Sequence, residues 1–297
     1  MLSLRHLLEL FCHVDDFCQA FLPALQARQI QPGKRRRKRC LCESEVMTIL
    51  IAFHQSHYRD FKAFYLGYVC PHWQQEFPGL VSYSRFIEFV PATLVLLFAY
   101  LKSLLAPCSG ISFIDSTALA VCHNARISQH KVFADSAQRG KTSVGWFFGF
   151  KLHLLINERG ELLNLTLTPG NTDDRKPVLD LLSGVPGGAF GKCVGDKGYL
   201  SQSLFEALLA QGVTLITKPK KGMKARLLLL VDKLLLQQRS LIETVIDQLK
   251  NQCQIEHTRH RATTGFLANL ASALIAYCHQ PEKPSLPLKD ELLLAIA

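Results

Sequence analysis

The sequence predicts an α/β fold, a mixed sheet of five strands flanked by helices, set behind an all-helical N-terminal region. Three observations predict it. Apolar residues recur at helical spacing through the first 110 residues. From Ile111 onward, short apolar runs bounded by turn residues take over. These runs alternate with helix-length segments in the order β, β-hairpin, α, β, α, β, α, the mark of a layered α/β domain.

Residues 1–29 read as a helix, with Leu4, Leu7, Leu8 and Phe11 on one stripe, and Pro32-Gly33 ends it. Helical spacing returns in Val46–Phe53, in the aromatic-rich Tyr58–Tyr68, and in Tyr83–Leu105, where Pro91 predicts a kink. Pro107-Cys108-Ser109-Gly110 marks the boundary of the helical part, taken as residues 1–110. Phe113-Ile114-Asp115 is a short strand, and 118–147 reads as polar and irregular. Phe148–Asn157 and Glu161–Thr168 alternate as strands around the turn Glu158-Arg159-Gly160, which makes a hairpin. Helix is expected at 174–182, strand at 192–194, helix at 201–210 and strand at 213–217. One long amphipathic helix is expected over 228–251, and a last helix over 266–277. The α/β domain is therefore placed at 111–280. A proline-rich tail, 281–297, follows it and is expected to be dispensable.

The totals narrow the function. Hydrophobic residues make up 48% and charged residues 20%, a globular composition rather than a disordered one. Thirty-four Lys and Arg against 24 acids leave a net charge of +10, which suits a polyanionic partner such as nucleic acid. The ten cysteines are irregularly spaced with no CxxC pair, and several (Cys12, Cys18, Cys193, Cys278) lie in apolar segments. They read as reduced thiols of a cytosolic protein. Met1 leads into Arg5, His6 and Glu9 rather than a secretory leader. The apolar window Val90–Leu101 is too short for a bilayer, so no membrane association is expected.

Three acids stand in settings that suit metal chemistry. Asp115 ends the first apolar strand, Asp196 follows the strand Lys192-Cys193-Val194-Gly195, and Glu243 lies in the late helix. Two-metal phosphodiester cleavage needs carboxylates on a rigid frame, and strand ends with a helix face provide one. Taken singly, each acid has a simpler explanation as a turn cap or a solvated surface group. The helix around Glu243 weighs against that. Ile242, Val245, Ile246 and Leu249 form a core stripe, and Arg239, Glu243 and Lys250 form a charged stripe beside it. A carboxylate there would meet metal while its flanking cations meet phosphates. An ordinary Arg239–Glu243 surface pair is the plainer alternative. Asp247, one turn on, rivals Glu243 as third ligand.

Phe113-Ile114-Asp115-Ser116-Thr117, Gly195-Asp196-Lys197-Gly198-Tyr199 and the Arg239/Glu243/Lys250 segment resemble the DDE transposases of bacterial insertion sequences. The resemblance is closest to the family numbered nine-eight-two. Gly149-Phe150-Lys151-Leu152-His153 and Thr168-Pro169-Gly170-Asn171-Thr172-Asp173-Asp174 agree with it. It implies an RNase H-like catalytic domain in which Asp115, Asp196 and Glu243 hold two Mg²⁺ ions, with Mn²⁺ as a substitute. It further implies cleavage of the element's ends and their joining to target DNA, by a homo-oligomer assembled on double-stranded DNA near the nucleoid. Related transposases place a Tyr three residues before the Arg, where this chain has Leu236.

The basic segments fit that reading. Lys34–Arg39, including Arg35, Arg36 and Arg37, reads as a cationic loop between helices, either a DNA contact or a plain solvated charge run. Lys218, Lys220, Lys221 and Lys224 follow the last strand, which puts them near the acids at one sheet end. His257-Thr258-Arg259-His260-Arg261 is a further candidate for DNA contact. The pairs His54/His57 and His257/His260 lack cysteines at zinc spacing. Two other classes stay open at this point. A haloacid-dehalogenase-like phosphatase would want a second acid where Thr117 stands. A DNA-binding regulator would carry its function in the helical part.

Overall fold

A computed structural model describes residues 3–28, 40–56, 58–218, 229–256 and 260–286. The chain divides into two compact units, one of 1–104, 251–255 and 260–279, the other of 105–250, 256–259 and 280–297.

The first unit is helical. It comprises α1 (Leu4–Arg28), α2 (Glu43–Gln55), the short α3 (Phe61–Phe64), a wide π turn (Tyr65–Val69), α4 (Cys70–His72) and α5 (Tyr83–Ser103). The last helix among the described residues, α10 (Thr263–Cys278), also belongs here, packing on α5 and α2, although the sequence groups it with the α/β part. Its apolar residues run all round the helix, and Phe266, Leu270, Leu274 and Tyr277 are buried, so it needs a full helical surround. The helix containing the Val90–Leu101 window has 21 residues, long and apolar enough by composition to cross a bilayer. Here it is a core helix that buries Phe86, Phe89, Leu96 and Leu97. His54 is buried in the same unit, its Nδ1 2.6 Å from the Cys253 carbonyl oxygen.

The second unit holds one mixed sheet of β1 (Ile111–Cys122), β2 (Gln138–Lys141), β3 (Trp146–Asn157), β4 (Leu162–Pro169), β5 (Gly191–Gly195) and β6 (Val213–Thr217). β1 pairs antiparallel with β3, β3 with both β4 and β2, while β1–β5 and β5–β6 are parallel. A mixed sheet with flanking helices is thus present, and β2 adds a short sixth strand to the five expected. The hairpin at 158–160 forms as read. Asn157 Oδ1 accepts from the backbone N–H groups of Arg159 and Glu161 at 3.0 Å, and Gly160 takes a φ of +68°. Helices α6 (Val178–Ser183) and α7 (Gln202–Ala210) cover one sheet face over a core of Ile114, Leu155, Leu163, Leu181, Cys193 and Leu208.

Two expectations are corrected. Residues 118–122, read as irregular, continue β1, because the long apolar β3 offers Lys151, Phe150 and Gly149 as partners for Ala118, Leu119 and Ala120. The 228–251 helix is two helices, α8 (Leu230–Gln237) and α9 (Ser240–Asn251), separated by a turn at Gln238-Arg239. That break sets Arg239 outside the helical ladder, which matters for the site. The tail is anchored as far as it is described, with Leu286 N–H donating to the Glu158 carbonyl at 2.8 Å.

At Gly149 the β1 backbone leaves no room for a side chain on β3. A Cβ there would stand 2.0 Å from the Leu119 carbonyl oxygen, a backbone atom that cannot swing away. Gly149→Ala should therefore cost at least about 2 kcal/mol, read as a lowered urea midpoint.

Candidate metal and nucleic-acid site

The parallel pairing of β1 with β5 positions the first two acids. The ladder runs Ile111↔Lys192, Ser112↔Cys193, Phe113↔Val194. Asp115 and Asp196 each lie two residues beyond the last pair, so neighbouring strands about 4.8 Å apart deliver them at one level. Asp196 directly follows β5 and opens a tight turn in which the Tyr199 N–H donates to its carbonyl at 3.0 Å. Glycine precedes it for a packing reason: a Cβ on Gly195 would stand 3.1 Å from both Ile114 and the Tyr199 ring.

The Asp115 carboxyl is strongly perturbed. Burial pushes it up to about 6, against the Ser116 N–H and Arg239, while the charges of Asp196 and Glu243 add to the rise. The Ser116 N–H donates to Oδ1 at 2.8 Å. Arg239 Nη1 lies 3.7 Å from Asp115 Oδ2, and its Nη2 donates to Glu243 Oε1 in the first turn of α9. One guanidinium thus bridges the first-strand acid and the helix acid. The surface pair expected between Arg239 and Glu243 does form, and the turn before α9 adds Asp115 to it.

Among the described residues, no group of three His, Cys, Asp or Glu side chains is gathered closely enough to hold an ion. Arg239 occupies that role between Asp115 and Glu243 instead. The donor set itself suits a hard divalent cation, since it consists of carboxylate oxygens alone. A cation would also relieve the burial penalty on ionised Asp115.

The remaining candidates fall out as follows. Lys250, in the last turn of α9, pairs with Glu256 at 3.2 Å, and Glu256 Oε1 accepts from the Ala120 N–H on β1. Its charge ties α9 to the far half of β1 rather than lining up with Arg239. Asp247 is exposed on α9, and Leu236 is buried on α8. Of the core stripe, Ile242, Val245 and Leu249 are buried, with Leu241 buried beside them and Ile246 only partly so. Lys218 is exposed directly after β6. Lys220, Lys221, Lys224, Arg35, Arg36, Arg37, His57, His257 and Arg259 lie outside the described residues.

Sequence reasoning left one cluster without a role. Lys151 Nζ donates to Asp174 Oδ1 and to the Thr172 carbonyl, both at 2.9 Å. His153, 1% exposed, has Nε2 2.8 Å from the Thr168 hydroxyl and Nδ1 4.0 Å from Asp174. The two motifs noted at 149–153 and 168–174 are thereby one structure, joining β3 to the loop after β4. Tyr199 is buried beside them, its hydroxyl raised by burial and by the charges of Asp115 and Asp174. Shared strand register could have paired these motifs in advance.

Burial lowers the His153 imidazole to about 4, Asp174 opposing and Lys151 assisting. An unfolded histidine titrates near 6.5. Between those values the unfolded chain binds the extra proton, so this group's contribution to stability is full above about 6.5 and lost as pH falls towards 4. His153→Gln should remove that dependence. Wild type should lose about 2–3 kcal/mol relative to the variant between pH 7 and pH 4, measured by denaturant unfolding.

Residues 105–263, more than half of the chain, match the family described as the transposase DDE domain. No curated protein is similar enough to count as a match. Among solved structures, a piggyBac transposase synaptic complex with hairpin DNA is similar at 12% identity. That match covers 97% of this chain and 76% of the other with a TM-score of 0.47. The Mos1 strand transfer complex is similar at 11% identity over 89% and 85% of the two chains, with a TM-score of 0.25. Both scores are too low to carry weight beside the family match. On that match, the chain belongs to the DDE transposase family.

Proposed function

We propose that this transposase binds the inverted ends of its own insertion element, cleaves a strand at each, and directs the freed 3′-hydroxyl at target DNA. The observation that carries the reading is the Arg239 bridge between Asp115 and Glu243, at the level where Asp196 leaves the neighbouring strand. These contacts support a reading in which the β1 acid, the acid after β5 and the α9 acid share one region of the sheet.

Domains of this family generally use divalent metal ions. Asp115, Asp196 and Glu243 would hold two Mg²⁺ ions, or Mn²⁺, which supply activation of the attacking oxygen and stabilisation of the leaving one. Asp115 and Asp196 give a rigid pair of donors on adjacent strands. Glu243, exposed on its helix, closes on that pair when Arg239 lets go. Arg239 then turns to a phosphate oxygen, exchanging carboxylates for a partner of the same charge. Exposed Lys218 would neutralise backbone phosphates, with Lys220, Lys221 and Lys224 beyond it and Arg35, Arg36 and Arg37 of the helical part as further contacts. The reaction runs as in-line displacement without a covalent protein intermediate, on a homo-oligomer assembled on DNA in the bacterial cytoplasm.

The test is supercoiled DNA carrying the element's ends, incubated with protein and Mg²⁺. Nicking should require Mg²⁺ and Asp196. Nicks that persist in EDTA, or with Asp196→Ala, would refute the mechanism.

A further inference from the structure

We propose that the outer end of the β1–β3 ribbon is a second nucleic-acid contact, in which Trp146 stacks on an unpaired base and the surrounding cations hold phosphates. This rests on the DNA-processing reading above and adds a contact that the carboxylate site does not need.

Trp146 opens β3 and is 62% exposed, with Val144 97% exposed in the turn before it. A large aromatic ring left in water on a strand end has no packing reason to be there. The ring is held rather than loose. Trp146 pairs in register with Lys141 of β2, Lys141 Nζ lies 5.7 Å above the ring, and Asn124 donates to the Trp146 carbonyl at 2.7 Å. Beneath it, the segment between β1 and β3 is fixed by Phe133, fully buried and 5.7 Å from the Phe150 ring.

Charge identifies the partner. Residues 123–146 contain Arg126, Lys131, Arg139 and Lys141 against a single acid, Asp135. All four cations are exposed, and none is ion-paired among the described residues. An exposed aromatic platform ringed by uncompensated cations is the pattern that binds bases by stacking and backbone by charge.

Geometry places the contact relative to the chemistry. Asp115 faces Leu154 in the β1–β3 register, eight residues from Trp146. At about 3.3 Å per residue the platform stands roughly 25 Å from the carboxylates, within one turn of duplex. Base faces are exposed only where DNA is frayed, single-stranded or flipped, so the site selects distorted or unpaired DNA within one helical turn of the cleavage point.

The chain has two tryptophans, and the other, Trp73, is 4% exposed in the helical unit. Full-length Trp73→Phe therefore reports on Trp146 alone. Titrating it with a single-stranded oligonucleotide, and with a duplex bearing a short single-stranded end, should quench its emission saturably. Blunt duplex should quench it less. Trp146→Ala should weaken binding to the single-stranded probes by at least about five-fold, Trp146→Phe should restore most of it, and Lys141→Gln should lower the salt slope by about one. DNA binding with unchanged Trp146 emission would overturn the proposal while leaving the transposase reading standing. An emission shift that follows protein concentration without DNA would overturn it in favour of a second copy of the chain. Failure of the protein to bind any DNA would instead sink the reading on which it rests.

Discussion

Asp115→Asn should abolish strand cleavage and, at neutral pH, make the protein more stable. Both effects follow from one side chain. The carboxylate is proposed to hold a cation, so its loss should lower nicking by at least about 10³-fold. Burial raises the same group to about 6. A carboxyl whose folded value lies above its unfolded value near 3.9 favours folding when protonated. That contribution is present below about 4 and lost as pH rises through 6. Wild type at pH 7 therefore carries the cost of a buried charge, and the neutral amide does not. The variant should gain about 1–3 kcal/mol at pH 7, the gain shrinking as pH falls towards 4. Calorimetry beside a nicking assay checks the pair. An inactive variant that is also destabilised at pH 7 would point to a structural role for Asp115 instead.

Arg239→Ala should separate metal binding from DNA binding. Its guanidinium lies against both Asp115 and Glu243, competing with any cation for their oxygens. Removing it should tighten Mn²⁺ binding by about ten-fold, roughly 1.4 kcal/mol, while nicking falls by about 10²-fold because a phosphate loses its charged partner. Titration calorimetry with Mn²⁺ reads the first effect and the nicking assay the second. Weaker Mn²⁺ binding in the variant would mean that Arg239 braces the carboxylates rather than substituting for a cation.

What the sequence disclosed follows from how local each signal is. The hairpin around Asn157 and Gly160 is set by neighbouring residues and was readable in full. Asp196 was readable as a strand-end acid because it follows a short apolar run, whereas Asp115, read as ending a strand, lies inside β1, which continues to Cys122. Their common level was not, because it depends on the β1–β5 register, a pairing across some 80 residues. Ala118–Cys122 is an apolar run, Ala-Leu-Ala-Val-Cys, read together with the polar stretch that follows it, and its strand state is secured by the pairing with β3. The turn at Gln238-Arg239 was hidden because Gln and Arg are themselves good helix formers, and apolar spacing continues across it. α10 was assigned to the wrong unit for a similar reason. An all-apolar helix shows that it is buried, not in what. Lys151 and Asp174 stood in two separate motifs, and only the β3–β4 pairing joins them as an ion pair.

The gathering of Asp115, Asp196 and Glu243 around divalent ions is tested most directly by Mn²⁺-soaked crystals of the protein with an element-end oligonucleotide, read by anomalous diffraction. Two peaks roughly 3.5–4 Å apart, bounded by these three carboxylates with Arg239 swung to a phosphate, are the expected result. Peaks on other side chains, or an Arg239 still bridging Asp115 and Glu243 with Mn²⁺ and DNA present, would contradict it.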